Sequence, residues 1–424
     1  MFKNAKILFY FNQYFVIRLG EKVYSYTPGI ENFAILRALG SLLFHCFKNR
    51  TIAFSDRIVK PYKQIVYVET INQKNAIIDV FDAMSETEKS NTLFILNNGL
   101  AMEGFTTLLF NNRKLFLLGL WYFPKAIRIS GTYTRKKKGI INTTHVYVNL
   151  ALFLASVKLF EKYIEVSGCE KVILTNDHNL QPLALLLAAR NKNCVSYYIQ
   201  HAAVSEAFPK LLPNVALLEG QQAVETYRKI GNLSRIQKLV GIARMDGLLA
   251  HKSTHKFKDI VVGFCLKPYY SMELIKEIID SIRASKNVSE IILRPHPGNS
   301  EGFYKTLSSL NITISNAKEE RPHEFLKKTD VMVSGESSII LEAALMKVKT
   351  IYIDDKIAQY DLYGFVKNGV TTAVKEPREI TSILNLLSYD TVERHYQNCQ
   401  YYCATVNTPN ENKSKTLILN SLLQ

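Results

Sequence analysis

Along most of the chain, short apolar runs alternate with longer segments whose apolar positions recur every three or four residues. The runs "QIVYVE" (64–69), "TLFIL" (92–96), "KVILT" (171–175), "VSYYIQ" (195–200) and "VALLEG" (215–220) have the length and content of buried strands. Between them, "NQKNAIIDVFDAM", "LQPLALLLAAR" and residues 221–230 carry helical spacing. The alternation pauses at 241–259, "GIARMDGLLAHKSTHKFKD", which is polar, basic and without a clear period. It then restarts with strands at 260–266, 290–294, 312–315, 331–334 and 350–353, separated by helices at 271–284, 300–310, 321–328 and 337–347. Strand–helix alternation predicts an α/β chain built on open parallel sheets with helices on both faces. A length of 424 residues is too great for one ordinary core. The break near 245–258 therefore divides the chain into a first domain, 1–250, and a second, 251–375, with helices over 376–424 that cover the second domain or cross back. Outside its strand-like runs the first 160 residues stay unplaced, and the polar stretch "TPNENKSK" (408–415) is expected to be disordered.

Charge alters this picture more than composition does. The balance of 53 Lys+Arg against 37 Asp+Glu leaves a formal net charge of +16, which suits an anionic partner; the plainer alternative is cations scattered over a solubilising surface. The densest basic cluster is "RISGTYTRKKKGI", with Arg128, Arg135, Lys136, Lys137 and Lys138. No zinc-finger spacing and no aromatic RNA-binding run accompanies it, so nucleic acid is not the expected partner. Residues 128–138 read instead as a contact for an anionic membrane surface or a lipid-linked anionic substrate. The six cysteines are scattered, with no second pair at metal-site spacing, and read as buried thiols of a reducing compartment. The amino-terminal stretch lacks a signal-peptide cleavage pattern, and the longest apolar run, Leu115–Phe123, is well short of the ~20 residues of a spanning helix. The expected location is the cytoplasm, peripheral to the membrane.

In open parallel sheets ligands bind at the carboxyl ends of strands, which is where the candidate chemistry lies. The run "IILRPHPGNS" ends a strand in Arg294 and His296, with prolines on either side of the histidine. Proline fixes φ and removes a backbone donor, so the imidazole is held with little freedom beside a guanidinium, a pairing suited to phosphate oxygens. The plainer alternative is a turn whose histidine caps a helix. In "DVMVSGESSIILEAALMK" a strand ends, Gly335 permits a turn, and Ser337 and Ser338 open a helix. Helix-start N–H groups and hydroxyls form an anion site, and Glu342, one turn in, is placed to take the two hydroxyls of a ribose. The alternative is an ordinary N-cap with a solvated glutamate. In the first half, His201 after "VSYYIQ" and Asp177 in "LTNDHN" are rival candidates for a general base. Lys267, ending "GFCLK", is a further phosphate contact. There is no Walker loop, GxGxxG, HExxH or GxSxG, and no acidic pair stands out as a metal–diphosphate clamp. The expected chemistry needs no metal and no resident cofactor.

The "RPHP" turn, the "SGESSIILEA" helix start, the "QHA" strand end and the "VGIARMD" segment resemble bacterial GT-B transferases of surface polysaccharides. These include capsule polysaccharide transferases and the CDP-glycerol glycerophosphotransferases of teichoic acid synthesis. The His-Pro and Ser-Ser elements also resemble sialyltransferases and polysialyltransferases that use CMP-sialic acid. The resemblance spans roughly residues 170–365. It implies a GT-B-like architecture of two doubly wound, Rossmann-like domains about a central cleft. It further implies that His296, Ser337 and Ser338 contact donor phosphate, that Glu342 contacts ribose, and that His201 is the base. The chain departs from these families at His201-Ala202, where the glycerophosphotransferases have His-Gly. It also has only "MEG" (102–104) for the acidic-acidic-Gly motif of the sialyltransferases.

The resulting expectation is an inverting, metal-independent glycosyltransferase. It would move a sugar from a nucleotide-activated donor, CMP-linked by the resemblance, to a hydroxyl of a bacterial surface glycan or lipid-linked acceptor. Three rivals stand beside it: a CDP-polyol phosphotransferase of the same fold attacking phosphorus, a sugar-nucleotide epimerase that shares the architecture and needs no acceptor, and, as a different class, a non-catalytic glycan- or nucleotide-binding subunit of an assembly complex.

Overall fold

The structure, a computed structural model, describes residues 2–20, 33–48, 60–97, 99–110, 112–136, 143–251, 257–296, 299, 301–308, 310, 312–317, 319–354 and 360–424. The first half runs α1 (Phe2–Gly20), α2 (Ala34–Lys48), β1 (Gln64–Val68), α3 (Ile71–Asp82), α4 (Glu86–Ser90), β2 (Thr92–Leu96) and β3 (Thr106–Leu109). It continues with α5 (Asn112–Lys136), α6 (Thr143–Ser167), β4 (Lys171–Leu174), α7 (Leu180–Asn191), β5 (Val195–Ile199), β6 (Val215–Leu218), α8 (Gln221–Ile230) and β7 (Ile236–Leu239). The second half runs β8 (Ile260–Cys265), α9 (Met272–Arg283), β9 (Val288–Arg294), α10 (Glu301–Ser308), β10 (Thr313–Ile314), α11 (Pro322–Lys328) and β11 (Val331–Ser334). Then follow α12 (Ile339–Leu345), β12 (Lys349–Ile353), β13 (Thr372–Val374), α13 (Glu379–Asn385), α14 (Tyr389–Asn398) and α15 (Ser414–Leu423).

Both sheets are wholly parallel. The first orders its strands β3-β2-β1-β4-β5-β6-β7, the second β10-β9-β8-β11-β12-β13. Each therefore reverses direction of growth once, between β1 and β4 and between β8 and β11, and a crevice opens at the carboxyl ends of those strands. Central strands β1, β2, β6, β11 and β12 are buried along their whole length, which is why they read as unbroken apolar runs. Strands β3, β7 and β13 lie at sheet edges with half-solvated faces, so "IQKL" and its counterparts carry no apolar run for pattern reading to find.

Apolar side chains fill both faces of each sheet. One face of the first sheet is covered by α1, α2, α5, α6 and α7, with Phe11, Tyr67, Phe110, Phe153 and Phe160 at its centre. Helix α6 is long and apolar enough to cross a membrane, yet 67% of its apolar window is buried inside the protein between α5 and α7. The other face packs against α3 and α15, the latter contributing Ile418 and Leu422. The chain thus returns from the second sheet to the first. The polar stretch 408–415 is ordered in this return, because Asp246 accepts hydrogen bonds from the N–H groups of Ser414 (3.1 Å) and Lys415 (2.7 Å) at the start of α15. Just before it, Ala404 N–H donates to the Glu219 carbonyl (2.9 Å). A Cβ at Gly220 would stand 2.4 Å from the carbonyl carbon of Tyr402, so only glycine lets this segment lie across the end of β6.

Candidate functional site

At the switch point of the first sheet, β1 hands over to Glu69 and β4 to the loop Thr175–Asn179. The Glu69 carboxylate accepts from Asn179 Nδ2 (2.8 Å) and from the Tyr67 hydroxyl (3.3 Å), and burial raises its pKa. Asn176 Oδ1 accepts from the backbone N–H groups of His178 (2.9 Å) and Asn179 (2.8 Å), which fixes the loop. Asp177 is fully buried. Its Oδ1 lies 3.0 Å from His178 Nδ1, and its Oδ2 accepts from the Tyr227 hydroxyl at 2.5 Å. Both of its oxygens are thus engaged within the protein.

One strand over, Gln200 locks the end of β5 to the end of β6: its Nε2 donates to the Ala202 carbonyl and its Oε1 accepts from Glu219 N–H, each at 2.9 Å. His201 follows, half-buried, and its buried Nδ1 makes no hydrogen bond. Burial, then the charge of Arg244 and that of His178, lower its pKa to about 4, against an opposing pull from Asp177. The imidazole is therefore neutral at pH 7 and able to accept a proton.

Arg244 lies in the short 3-10 turn Ala243–Met245 that follows the first sheet. Its Nη1 donates to Glu219 Oε1 (2.9 Å) at the end of β6, and its Nε donates to Glu342 Oε1 (3.1 Å) in α12. Burial would lower its pKa, but Glu219 and Glu342 outweigh that and keep the guanidinium charged. One side chain thus ties the carboxyl edge of the first sheet to the second, and Glu342, expected at a ribose, is in this structure held by Arg244.

At the second switch point Lys267, just past β8, donates its ammonium to the Glu336 carbonyl beyond β11. Gly335 is buried and makes its turn without a positive φ. Glu336 is buried too and anchors the segment after β12, accepting from Leu362 N–H (2.9 Å), Tyr363 N–H (3.4 Å) and the Tyr352 hydroxyl (3.2 Å). Ser337 and Ser338 are half-buried, and the Ser338 hydroxyl does not cap α12, which it precedes. The plain N-cap reading of this serine is therefore not what the structure contains. His296 is exposed, and partial burial followed by the nearby Lys267 charge lowers its pKa. Pro297 and Gly298 lie outside the described residues.

Arg294 departs from the expectation of a phosphate contact. It is 6% exposed, donating Nη1 to Ser315 Oγ (2.7 Å) and Nη2 to the Glu320 carbonyl (2.8 Å), with its guanidinium 5.2 Å from the Phe325 ring centre. A guanidinium at the end of a doubly covered strand needs internal partners, and Glu320 and Ser315 supply them. Sequence reasoning also passed over Glu69, Glu219 and Arg244. Both glutamates terminate apolar runs, "QIVYVE" and "VALLEG", so the strand-end rule that selected Asp177 would have found them. Among the described residues, no three His, Cys, Asp or Glu side chains gather as metal ligands do.

No family model matches the chain, and no curated protein matches it in sequence. Solved structures do match in fold. The UDP-GlcNAc 2-epimerase of Neisseria meningitidis, bound to UDP-GlcNAc, superposes with a TM-score of 0.52 at 13% identity, over 86% of this chain and 100% of that one. The wall teichoic acid polymerase TagF aligns over 94% of this chain and 98% of its own at TM-score 0.51 and 11% identity. The calicheamicin glycosyltransferase CalG4 aligns over 85% and 98% at TM-score 0.52 and 10% identity. At these identities the likeness establishes the architecture: two doubly wound parallel sheets in the GT-B arrangement.

Proposed function

We propose that the chain is a GT-B glycosyltransferase that takes a sugar from a nucleotide-activated donor, CMP-linked by preference, and passes it to a hydroxyl of a bacterial surface glycan or lipid-linked acceptor. Residues 251–375 hold the donor and residues 1–250 the acceptor. The observation that carries this reading is the Arg244 bridge, because it brings the β6 end, next to His201, together with the helix that follows Ser337 and Ser338. His201 takes the acceptor proton as the acceptor oxygen bonds to the anomeric carbon. The bond from that carbon to the donor phosphate breaks, and the nucleotide leaves with its added negative charge met by Lys267, His296 and the two serine hydroxyls. Glu342 exchanges Arg244 for the ribose hydroxyls. The reading calls for no metal ion and no resident cofactor.

A pKa of about 4 makes free His201 a weak base. A bound donor phosphate offsets the Arg244 charge that contributes to this depression, so His201 becomes more basic when the donor is present. The acid limb of kcat, which reports the complex, then lies at higher pH than that of kcat/KM, which reports the free enzyme. Coincident limbs remove His201 from the role of base.

The first test is thermal stability with CMP, CDP, UDP and GDP. A nucleotide at one hundred times its dissociation constant adds about 2.7 kcal/mol. Stabilisation lost in His296→Ala and Lys267→Ala, but kept in a turnover-dead His201→Ala, supports the assignment. No shift with any nucleotide overturns it. The likeness to TagF favours one second reading, attack at phosphorus of a CDP-polyol at this same site; it releases CMP and leaves a phosphodiester in the product.

A further inference from the structure

We infer that the outer face of α2 and α5 docks on an anionic lipid bilayer, lying in its interface rather than crossing it. Helix α2 turns Ala34, Ala38, Leu42 and Cys46 inward, as an amphipathic helix should. Its opposite face is apolar as well: Leu36 is 64% exposed, Phe44 61% and Phe47 67%. On α5, Leu117 is 51% and Trp121 79% exposed. The two helices pack together, with Gly119 close to Leu42 and the Phe116 ring stacked on His45 at 5.1 Å, so their outer faces adjoin. A contiguous exposed apolar patch of this kind on a folded chain marks a surface that something covers.

Charge identifies the occupant. Neither α2 nor α5 contains a single Asp or Glu. Arg37 and Lys48 on α2, and Arg113, Lys125 and Arg128 on α5, are exposed around the apolar side chains. Large apolar and aromatic side chains on helices whose own charged residues are all cations are the composition of a helix face that settles at the boundary of headgroups and acyl chains, where the long basic side chains reach anionic headgroups. A second copy fits poorly, since a twofold interface would set the cations of these two helices against one another. Helix α6, the one described helix apolar and long enough to span, is occupied in the core, which leaves surface docking. Of the basic cluster 128–138, Arg128 belongs to this face, while Lys137 and Lys138 lie outside the described residues.

The chain contains one tryptophan, Trp121, the most exposed of the apolar side chains named on this face, so intrinsic fluorescence reads the contact directly. With vesicles of phosphatidylcholine plus phosphatidylglycerol, the emission is expected to shift to the blue and to be quenched by acyl-brominated lipid. Phosphatidylcholine alone should give a much weaker response. Phe44→Ser with Phe47→Ser, and separately Lys125→Glu with Arg128→Glu, replace exposed side chains and leave the core intact; each should weaken vesicle binding at least about tenfold. Unchanged Trp121 emission with anionic vesicles overturns the proposal. So does a blue shift that follows protein concentration without lipid, with a dimer in sedimentation, which would assign the face to a second copy. No donor or acceptor enters the measurement, so its outcome is independent of the transferase reading.

Discussion

Arg244 is the residue on which most of the site's electrostatics turns. Removing it leaves the buried Glu219 and the neighbouring Glu342 without their shared cation. Arg244→Met is therefore expected to lower unfolding free energy by about 3–5 kcal/mol, read by urea denaturation. It should also raise the pKa of His201 by removing a nearby positive charge, which NMR titration of the imidazole measures. Two histidines give the stability a defined pH dependence. Burial lowers His201 to about 4 and, together with Lys349 and Arg394, lowers His395 to about 3, from an ordinary 6.5. Below pH 6.5 the unfolded chain takes up protons at these positions that the folded chain refuses, so stability falls as pH drops toward 4 and is level above 6.5 with respect to these groups. Each site accounts for roughly 3–5 kcal/mol across its window. His395→Gln should remove its share of the slope without touching nucleotide binding, as its ring nitrogens face Thr350 and Thr372, at 3.2 and 3.3 Å, inside the second core.

At the scale of elements, local capping and tertiary burial contribute very different amounts. Ser271 Oγ accepts from Leu274 N–H (3.2 Å) and starts α9, whose Ile275, Ile278, Ile279 and Ile282 face the second sheet. Ser271→Ala should cost about 1 kcal/mol. Phe160 in α6 is fully buried, its ring 5.3 Å from those of Tyr67 and Phe110, and Phe160→Ala should cost about 3–5 kcal/mol. The same difference explains which elements were legible. Strands β1, β2, β4, β5 and β6 announce themselves because burial on both faces demands apolar runs. The amino-terminal helices and β3 stayed unread because α6 is buried on several sides and shows little one-sided pattern, and because the edge strand needs no apolar run at all.

The whole molecule is held together by contacts that join distant parts of the chain. Arg244 spans from β6 to α12, and the segment 401–406 lies across the end of β6 before α15 packs on α3. Gly220→Val places side-chain atoms where the Tyr402 backbone runs. It should loosen residues 399–424, seen as faster amide hydrogen exchange in α15 and a lower melting temperature. Exchange unchanged in α15 would mean that the return of the chain does not depend on this close approach.

The α/β class, the two-sheet organisation and the strand ends that carry His201, Asp177, Lys267, Ser337 and Ser338 were written in the sequence, because apolar run length and helical spacing are local consequences of burial. The tertiary structure decided how those ends are used. It engaged both oxygens of Asp177 with Tyr227 and His178, turned Arg294 inward to Glu320, and brought Glu219 and Glu342 onto one guanidinium. Apart from the adjacent pair Asp177–His178, these partners lie 25 to 98 positions apart; they follow from sheet order and chain return, and no local pattern encodes them. The apolar outer face of α2 was equally out of reach, since only packing distinguishes an apolar side chain that meets the core from one that meets solvent.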